Sequence, residues 1–176
     1  ANIDHRGMPF RGQMLLPTEL TLRSTKDGVR LVSKPIAEVE TLLSPLYNSE
    51  SGLKKQEANV ALNKALPQRG SGEGANGLHL RATLKLTYAT SAGLKFDGQT
   101  LVDYDLNRNT LNGQFYSPQD PTSLSLTMDI YIDRTSIEVF IDDGLYSYSM
   151  ERRRAIGAAQ NTIPKGFEFW GSDISV

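Results

Sequence analysis

The sequence contains no cysteine, only two histidines and no long apolar run. Without cysteine there are no disulfides, thiol nucleophiles or thiolate-bound metals, and the redox compartment stays open. His5 and His79 do not form an H-x-H or H-x-x-x-H pair, the spacing that zinc and non-haem iron sites commonly use. We therefore expect no metal site, no cofactor and no membrane span.

Charge is also balanced, because 19 basic and 20 acidic residues give a formal net charge of -1. A chain with a pI near 6.2 offers no electrostatic reason to expect nucleic acid or an anionic bilayer as partner. The basic run Arg152-Arg153-Arg154 is interpreted as a solvated strand end. The polar start ANIDHRGMPF lacks the apolar middle of a secretory leader, which favours a piece of a longer protein.

What the sequence does contain is alternation of apolar and polar residues. Leu124, Leu126, Met128, Ile130 and Ile132 share one strand face, which is typical of a half-buried strand. Further strands are predicted at Glu19–Arg23, Val29–Ser33, His79–Tyr88, Thr100–Asp105, Leu111–Tyr116, Ile137–Ile141, Leu145–Met150 and Phe167–Trp170. Many short strands joined by tight turns predict an all-β fold, a two-sheet antiparallel β-sandwich of jelly-roll or lectin-like type.

Residues 45–77 are the least certain part of this prediction. The segment LKKQEANVALNKAL fits a short helix about as well as a strand. PQRGSGEGANG, Pro67 to Gly77, is a polar loop by composition, either within one domain or as a linker.

Carboxylates on the predicted strands do not form a glycosidase pair. Asp129 and Asp133 share strand parity, but four residues separate them by about 13 Å, beyond the roughly 5–9.5 Å that such pairs use. Glu138 is interpreted as part of a cross-strand ion pair rather than as an acid or base. The turn Asp142-Asp143-Gly144 could bind calcium, although these residues more commonly serve the turn itself.

Several aromatic residues lie on predicted strands, and three are candidates for contact with sugar: Tyr131, Trp170 and Tyr104. Sugars stack their C–H faces on aromatic rings while polar neighbours bind the hydroxyls. The alternative is that these rings cover strand edges or fill a core.

Two well-separated motifs stand out: FRGQMLLPTELTLRSTKDGVRLVSKPIAEVETL, which starts at Phe10, and IDRTSIEVFIDDG, Ile132 to Gly144. Both resemble glycoside hydrolase family 32, the family of invertases, inulinases and levanases. The first is similar to the family's entry into its C-terminal sandwich, the second resembles the family's V-D-R-S-S-V-E-V-F-x-N-D-G, and DYDLNRNTL is a weaker third match. Phe10 and Thr18 depart from the family's usual tryptophan and arginine.

The resemblance implies a domain layout. Residues 1–18 would be a linker from an N-terminal β-propeller, and residues 19–176 the C-terminal β-sandwich, with its last strand clipped. The family's catalytic motifs N-D-P-N-G, R-D-P and E-C do not occur in the sequence, so no catalytic residue is assigned and the enzyme activity would belong to the parent protein. Phe10, Met14 and Leu15 would contact the propeller, while Asp133, Arg134 and Glu138 would fix the hairpin.

Three functions follow from these observations. The first is a non-catalytic module that stabilises the propeller of a fructan- or sucrose-cleaving hydrolase, with dimer formation in some family members. The second is an autonomous fructan-binding module, and the third, which the carboxylate spacing opposes, is an independent sandwich glycosidase or lyase. The resemblance also implies a secreted, periplasmic or cell-surface parent.

Overall fold

The computed structural model describes residues 13–49, 52–66, 77–86, 89–117, 124–152 and 166–176. Within these ranges the chain has one 3₁₀ helix, Ala37–Leu42, and one α-helix, α1, Lys55–Ala65. Its strands are β1 (Thr18–Thr25), β2 (Gly28–Pro35), β3 (Gly77–Leu86), β4 (Ser91–Phe96), β5 (Gln99–Asp105), β6 (Thr110–Leu111), β7 (Gln114–Phe115), β8 (Ser125–Asp133), β9 (Ser136–Ile141), β10 (Tyr146–Glu151), β11 (Phe167–Gly171) and β12 (Ile174–Ser175). Neither helix is long and apolar enough to cross a membrane.

The strands form antiparallel sheets. One five-stranded sheet has the order β10-β9-β8-β3-β12 and another has the order β11-β4-β5-β6-β7, while β1 and β2 form a separate hairpin. The predicted fold class, a two-sheet antiparallel β-sandwich, is confirmed.

The chain divides into two compact units, each with buried side chains of its own. The first comprises Ala1–Ser44, Arg69–Arg81 and Thr127–Arg153, and the second comprises Pro45–Gln68, Ala82–Leu126 and Arg154–Val176. Met128, Ile130 and Ile132 are buried in the first unit, and Leu94 and Phe96 in the second. The division into a linker 1–18 and a sandwich 19–176 stays a prediction, with β1 beginning at Thr18.

The meander of β8, β9 and β10 matches the predicted one. Tyr131 pairs with Glu138 across β8 and β9. In the turn before β10, Asp142, Asp143 and Gly144 have φ angles of 50°, 57° and 82°, the left-handed region that these residue types tolerate. The turn chemistry and the apolar alternation therefore specify the same hairpin.

Other segments differ from the sequence prediction or resolve it. The ambiguous middle segment forms α1, and the strand expected at Leu111–Tyr116 is split into β6 and β7 by a turn at Asn112 and Gly113, with φ of 49° and 77°. Strand β4 was not predicted, because it is short and its apolar residues Ala92, Leu94 and Phe96 alternate around a glycine, a residue that is depleted in strands. Most of the predicted loop, residues 67–76, lies outside the described residues.

The β1–β2 hairpin has one charged face and one apolar face. On the charged face, Arg23 donates to the carbonyl oxygens of Asp142 and Asp143 at 3.3 and 3.4 Å, and Arg30 lies 5.4 Å from the ring centre of Tyr146. The opposite face carries four exposed aliphatic side chains: Leu20, Leu22, Val29 and Leu31. We call these four residues the hairpin apolar face.

Candidate functional site

The side chains of β8 and β9 that share the parity of Tyr131 form the candidate site. Because strand side chains alternate, Asp129, Tyr131 and Asp133 lie on one face of β8 and the buried isoleucines on the other. Glu138 lies opposite Tyr131 on β9, and only 7% of its surface is exposed to solvent. This face therefore collects three carboxylates, each with a different set of partners.

The first group of contacts fixes the segment that precedes β1. The backbone N–H of Leu16 donates to both carboxylate oxygens of Glu138, at 3.1 Å each. The side chain of Gln13 donates to Ser136 Oγ at 2.6 Å and to Asp133 Oδ2 at 3.3 Å, and it accepts from Thr135 Oγ1 at 2.6 Å. We call this set of contacts the linker lock.

Glu138 sits in an environment that disfavours its charge. Burial raises the pKa of the Glu138 carboxyl, the hydrogen bond from Leu16 opposes that shift, and the nearby charge of Asp133 adds to it. A buried carboxylate needs hydrogen-bond donors, and Leu16 N–H supplies one from a segment 122 residues away. The arrangement indicates a structural role for this glutamate.

The second group of contacts surrounds Asp129. His79 Nε2 contacts Asp129 Oδ1, and Arg81 donates to Asp129 Oδ2 at 3.1 Å. Arg81 also donates to Glu40, in the 3₁₀ helix. We call these four residues the His79 cluster, and their contacts fix the 3₁₀ helix against β3 and β8.

The His79 cluster shifts the titration of its members. Burial tends to raise the pKa of Asp129, but the hydrogen bonds from His79 and Arg81 outweigh it, so this pKa lies below its ordinary value. The hydrogen bond to Glu40 raises the pKa of Arg81 above its already high value. Burial, together with the charges of Asp129 and Glu40, raises the pKa of Tyr131 to about 12.

The three carboxylates are all used to hold other parts of the chain. Asp129 binds His79 and Arg81, Glu138 binds Leu16, and Asp133 accepts from Gln13. A glycosidase acid or nucleophile must instead face the glycosidic bond. In the described ranges, no three histidine or carboxylate side chains converge as metal ligands.

The three aromatic residues predicted to contact sugar lie in different environments. Tyr131 stacks on His79, with ring centres 4.4 Å apart and planes inclined by 25°, so one ring face is covered. Trp170 is partly exposed, and its indole N–H is buried with no hydrogen-bond partner in the described part of the chain.

The prediction for Tyr104 is wrong. Its side chain is 1% exposed and packs edge-on against Tyr116, with ring centres 5.4 Å apart. Buried in the second unit, Tyr104 fills a core and cannot stack on a sugar at the surface. Filling a core was the alternative that the sequence left open for these aromatic residues.

Of the remaining predicted residues, Met14, Leu15 and Arg134 lie at or near the linker lock. Met14 and Leu15 are 91% and 55% exposed, whereas Phe10 lies outside the described residues. Arg134 is exposed in the turn between β8 and β9. Sequence reasoning missed Gln13 and Leu16 as partners of the second motif, because their proximity depends on how the preceding segment crosses the sheet.

A comparison with protein-family models matches residues 38–151, more than half of the chain, to the C-terminal region of glycosyl hydrolases family 32. The chain belongs to this family. The matched region includes the second sequence motif and the residues of β8 and β9 that make both groups of contacts. Gln13 and Leu16, which the linker lock holds, lie before it.

Curated relatives are levanases and inulinases. The levanase of Bacillus subtilis (strain 168) is 26% identical over 159 residues, which cover 77% of this chain and 22% of the levanase. An extracellular exo-inulinase of Aspergillus niger is 26% identical over 155 residues, covering 77% of this chain and 28% of that protein. The chain thus spans about a quarter of the length of these relatives.

Solved structures show the same fold. The exo-inulinase from Aspergillus awamori aligns with a TM-score of 0.59 at 15% identity, covering 98% of this chain and 36% of that one. The β-fructofuranosidase from Schwanniomyces occidentalis aligns with a TM-score of 0.53, also at 15% identity, covering 96% and 38%.

Proposed function

We propose that this chain is the non-catalytic C-terminal module of a β-fructosidase, and that it stabilises the catalytic domain that precedes it in the parent protein. The observation that carries the proposal is the exposure of the hairpin apolar face. Its four side chains, Leu20, Leu22, Val29 and Leu31, are 58–76% exposed. The solvent-facing side of an antiparallel sheet is usually polar. A hairpin that exposes four aliphatic side chains instead indicates an interaction surface.

The segment held by the linker lock leads directly into this hairpin, because β1 begins at Thr18, which supports the proposal. Met14 and Leu15 are exposed beside the contacts that hold Gln13 and Leu16. A domain that preceded this segment would be joined to the chain ahead of Met14, and the hairpin follows from Thr18. Burying each aliphatic side chain there would contribute on the order of 1.5–3 kcal/mol.

The relatives support the wider assignment. Proteins named levanase and extracellular exo-inulinase extend far beyond the region they share with this chain. The parent is accordingly proposed to cleave fructan or sucrose and to be exported. The carboxylates of β8 and β9, all bound within the module, support a role without chemistry.

The test uses the parent-length protein with Leu22→Asp and Leu31→Asp combined. These residues are directly opposite each other on the hairpin apolar face, and charging both should lower the melting temperature of the catalytic domain and expose the junction to proteases. Val60→Asp, at a residue 69% exposed on α1, is the matched control. Catalytic-domain stability equal to wild type in the double variant would exclude the hairpin as the docking surface.

A further inference from the structure

The edge strand β11 has α1 as its neighbour where another strand would be expected. It is the first strand in the order β11-β4-β5-β6-β7, so one side pairs with β4, and among the described strands the other side has no partner. Such an edge carries a row of backbone donors and acceptors that can pair with another chain. In this protein that row is satisfied by side chains of α1.

Two asparagines make hydrogen bonds that mimic a strand. Phe167 N–H donates to Asn63 Oδ1 at 2.8 Å, and Asn63 Nδ2 donates to Phe167 O at 2.7 Å. One turn earlier in α1, Asn59 accepts from Phe169 N–H at 2.7 Å and donates to Phe169 O at 3.1 Å. Lys55 continues the series by donating to Gly171 O.

The spacing of the two elements explains this match. Four residues of helix rise about 6 Å, and two residues of strand rise about 6.6 Å. Side chains at positions 55, 59 and 63 therefore align with strand residues 171, 169 and 167 in antiparallel order. An asparagine amide presents one acceptor and one donor group, as a backbone peptide does.

Two further observations indicate that the contact depends on this ladder. A Cβ at Gly166, where φ is +92°, would lie 2.0 Å from Asn63 Oδ1. The close approach of the Asn63 side chain to the start of β11 therefore requires glycine at this position. Ala58 is the one fully buried side chain of α1, while Ala61, Leu62 and Ala65 are half-buried, so the polar ladder is joined by only a small apolar contact.

We infer that α1 is an edge cap: Asn59 and Asn63 take the place of a neighbouring strand and block the pairing of β11 with a second copy of this chain. Paired antiparallel about Glu168, two β11 strands would join Phe167 of each copy to Phe169 of the other, through the groups that the asparagines now bind. This inference does not depend on the proposed function, because it concerns a different surface.

The absence of cysteine allows a register-specific test in the 176-residue chain. Glu168→Cys would face its own copy at a non-hydrogen-bonded position, with Cα atoms about 4.5 Å apart, within disulfide range. We expect little cross-linking with the asparagines intact and a disulfide dimer when Asn59→Ala and Asn63→Ala are added. Gln56→Ala with Lys64→Ala, both exposed on α1, is the control pair and should leave cross-linking low.

Hydrogen exchange supplies the second measurement. In the asparagine double variant without the added cysteine, the amides of Phe167 and Phe169 should exchange about 2- to 10-fold faster per lost bond at low protein concentration and regain protection at high concentration. Unchanged exchange would show that the ladder does not hold the helix, and faster exchange without cross-linking would show that the edge does not pair. Either result overturns the inference. If the double variant loses its β-sheet circular dichroism, Asn59→Ala alone takes its place in the exchange measurement: the amide of Phe169 should exchange faster while that of Phe167 does not, and unchanged exchange at Phe169 overturns the inference.

Discussion

The backbone N–H of Leu16 donates to both carboxylate oxygens of Glu138, at 3.1 Å each. This contact joins the segment before β1 to the middle of β9, and Gln13 adds bonds to Ser136 and Asp133 beside it. The charged residues of the second sequence motif therefore hold the entering chain. Glu138 thus makes a contact with a segment far away in the sequence, whereas the sequence predicted a contact within the hairpin.

Glu138→Ala should destabilise the first unit by about 1–3 kcal/mol, because it leaves the N–H of Leu16 without its acceptor. Denaturant unfolding of the 176-residue chain measures this loss, and hydrogen exchange at Leu16 should accelerate. Glu38→Ala, at an exposed glutamate in the 3₁₀ helix, is the matched control. If both variants unfold at the same denaturant concentration, Glu138 does not anchor the linker.

Asp129→Asn should remove part of the acid sensitivity of the fold. The pKa of Asp129 is held below its ordinary 3.8 in the folded chain, so its ionisation stabilises the fold above that pH, and this stability is lost as the pH falls towards the folded pKa. The free energy of unfolding at pH 7 and at about pH 3 should differ more in wild type than in the variant. Asp103→Asn, at an exposed carboxylate, should resemble wild type, and an Asp129→Asn profile parallel to wild type would contradict the role of the His79 cluster.

Gly93→Ala should disrupt the second unit. A Cβ at Gly93 would lie 1.9 Å from the carbonyl oxygen of Val102 and 2.8 Å from Trp170 Nε1, so the pairing of β4 would have to shift. A cost above about 3 kcal/mol is expected for such a clash, visible as a large fall in melting temperature. Gly52→Ala, whose added Cβ would lie 3.8 Å from the nearest heavy atom, should be nearly neutral, and equal effects of the two changes would contradict the close packing at Gly93.

Calorimetric titration with fructan tests the alternative of sugar binding. Tyr104 is buried, whereas Tyr131 and Trp170 are both partly exposed, although His79 covers one face of Tyr131. We expect no saturable heat with levan, inulin, fructose or sucrose. Saturable binding that Trp170→Phe weakens would favour the fructan-binding module instead.

The strands were largely predictable because apolar alternation and turn residues agree along the chain. The hairpin Ile132 to Gly144 follows from its alternating isoleucines and its Asp-Asp-Gly turn, and both features are found. Strand β4 was missed although Ala92, Leu94 and Phe96 share one buried face, because alanine and the central Gly93 give the segment little strand propensity.

The contacts that give these residues their roles were not predictable from sequence. Leu16 and Glu138 are 122 positions apart, and Asn63 and Phe167 are 104 apart. Helical periodicity does not reveal that Asn59 and Asn63 will meet a strand edge, because this depends on the register of a strand formed much later in the chain. Tyr104 was misassigned for a related reason, since burial on a strand depends on which elements cover that face.

A reducing-sugar assay of the 176-residue chain with levan, inulin and sucrose tests whether the module carries chemistry of its own. We expect no product above the substrate blank, even at high protein concentration, because the carboxylates of β8 and β9 hold other parts of the chain. Release of fructose in proportion to protein, lost in Asp129→Asn or Glu138→Gln variants that remain folded, would contradict it.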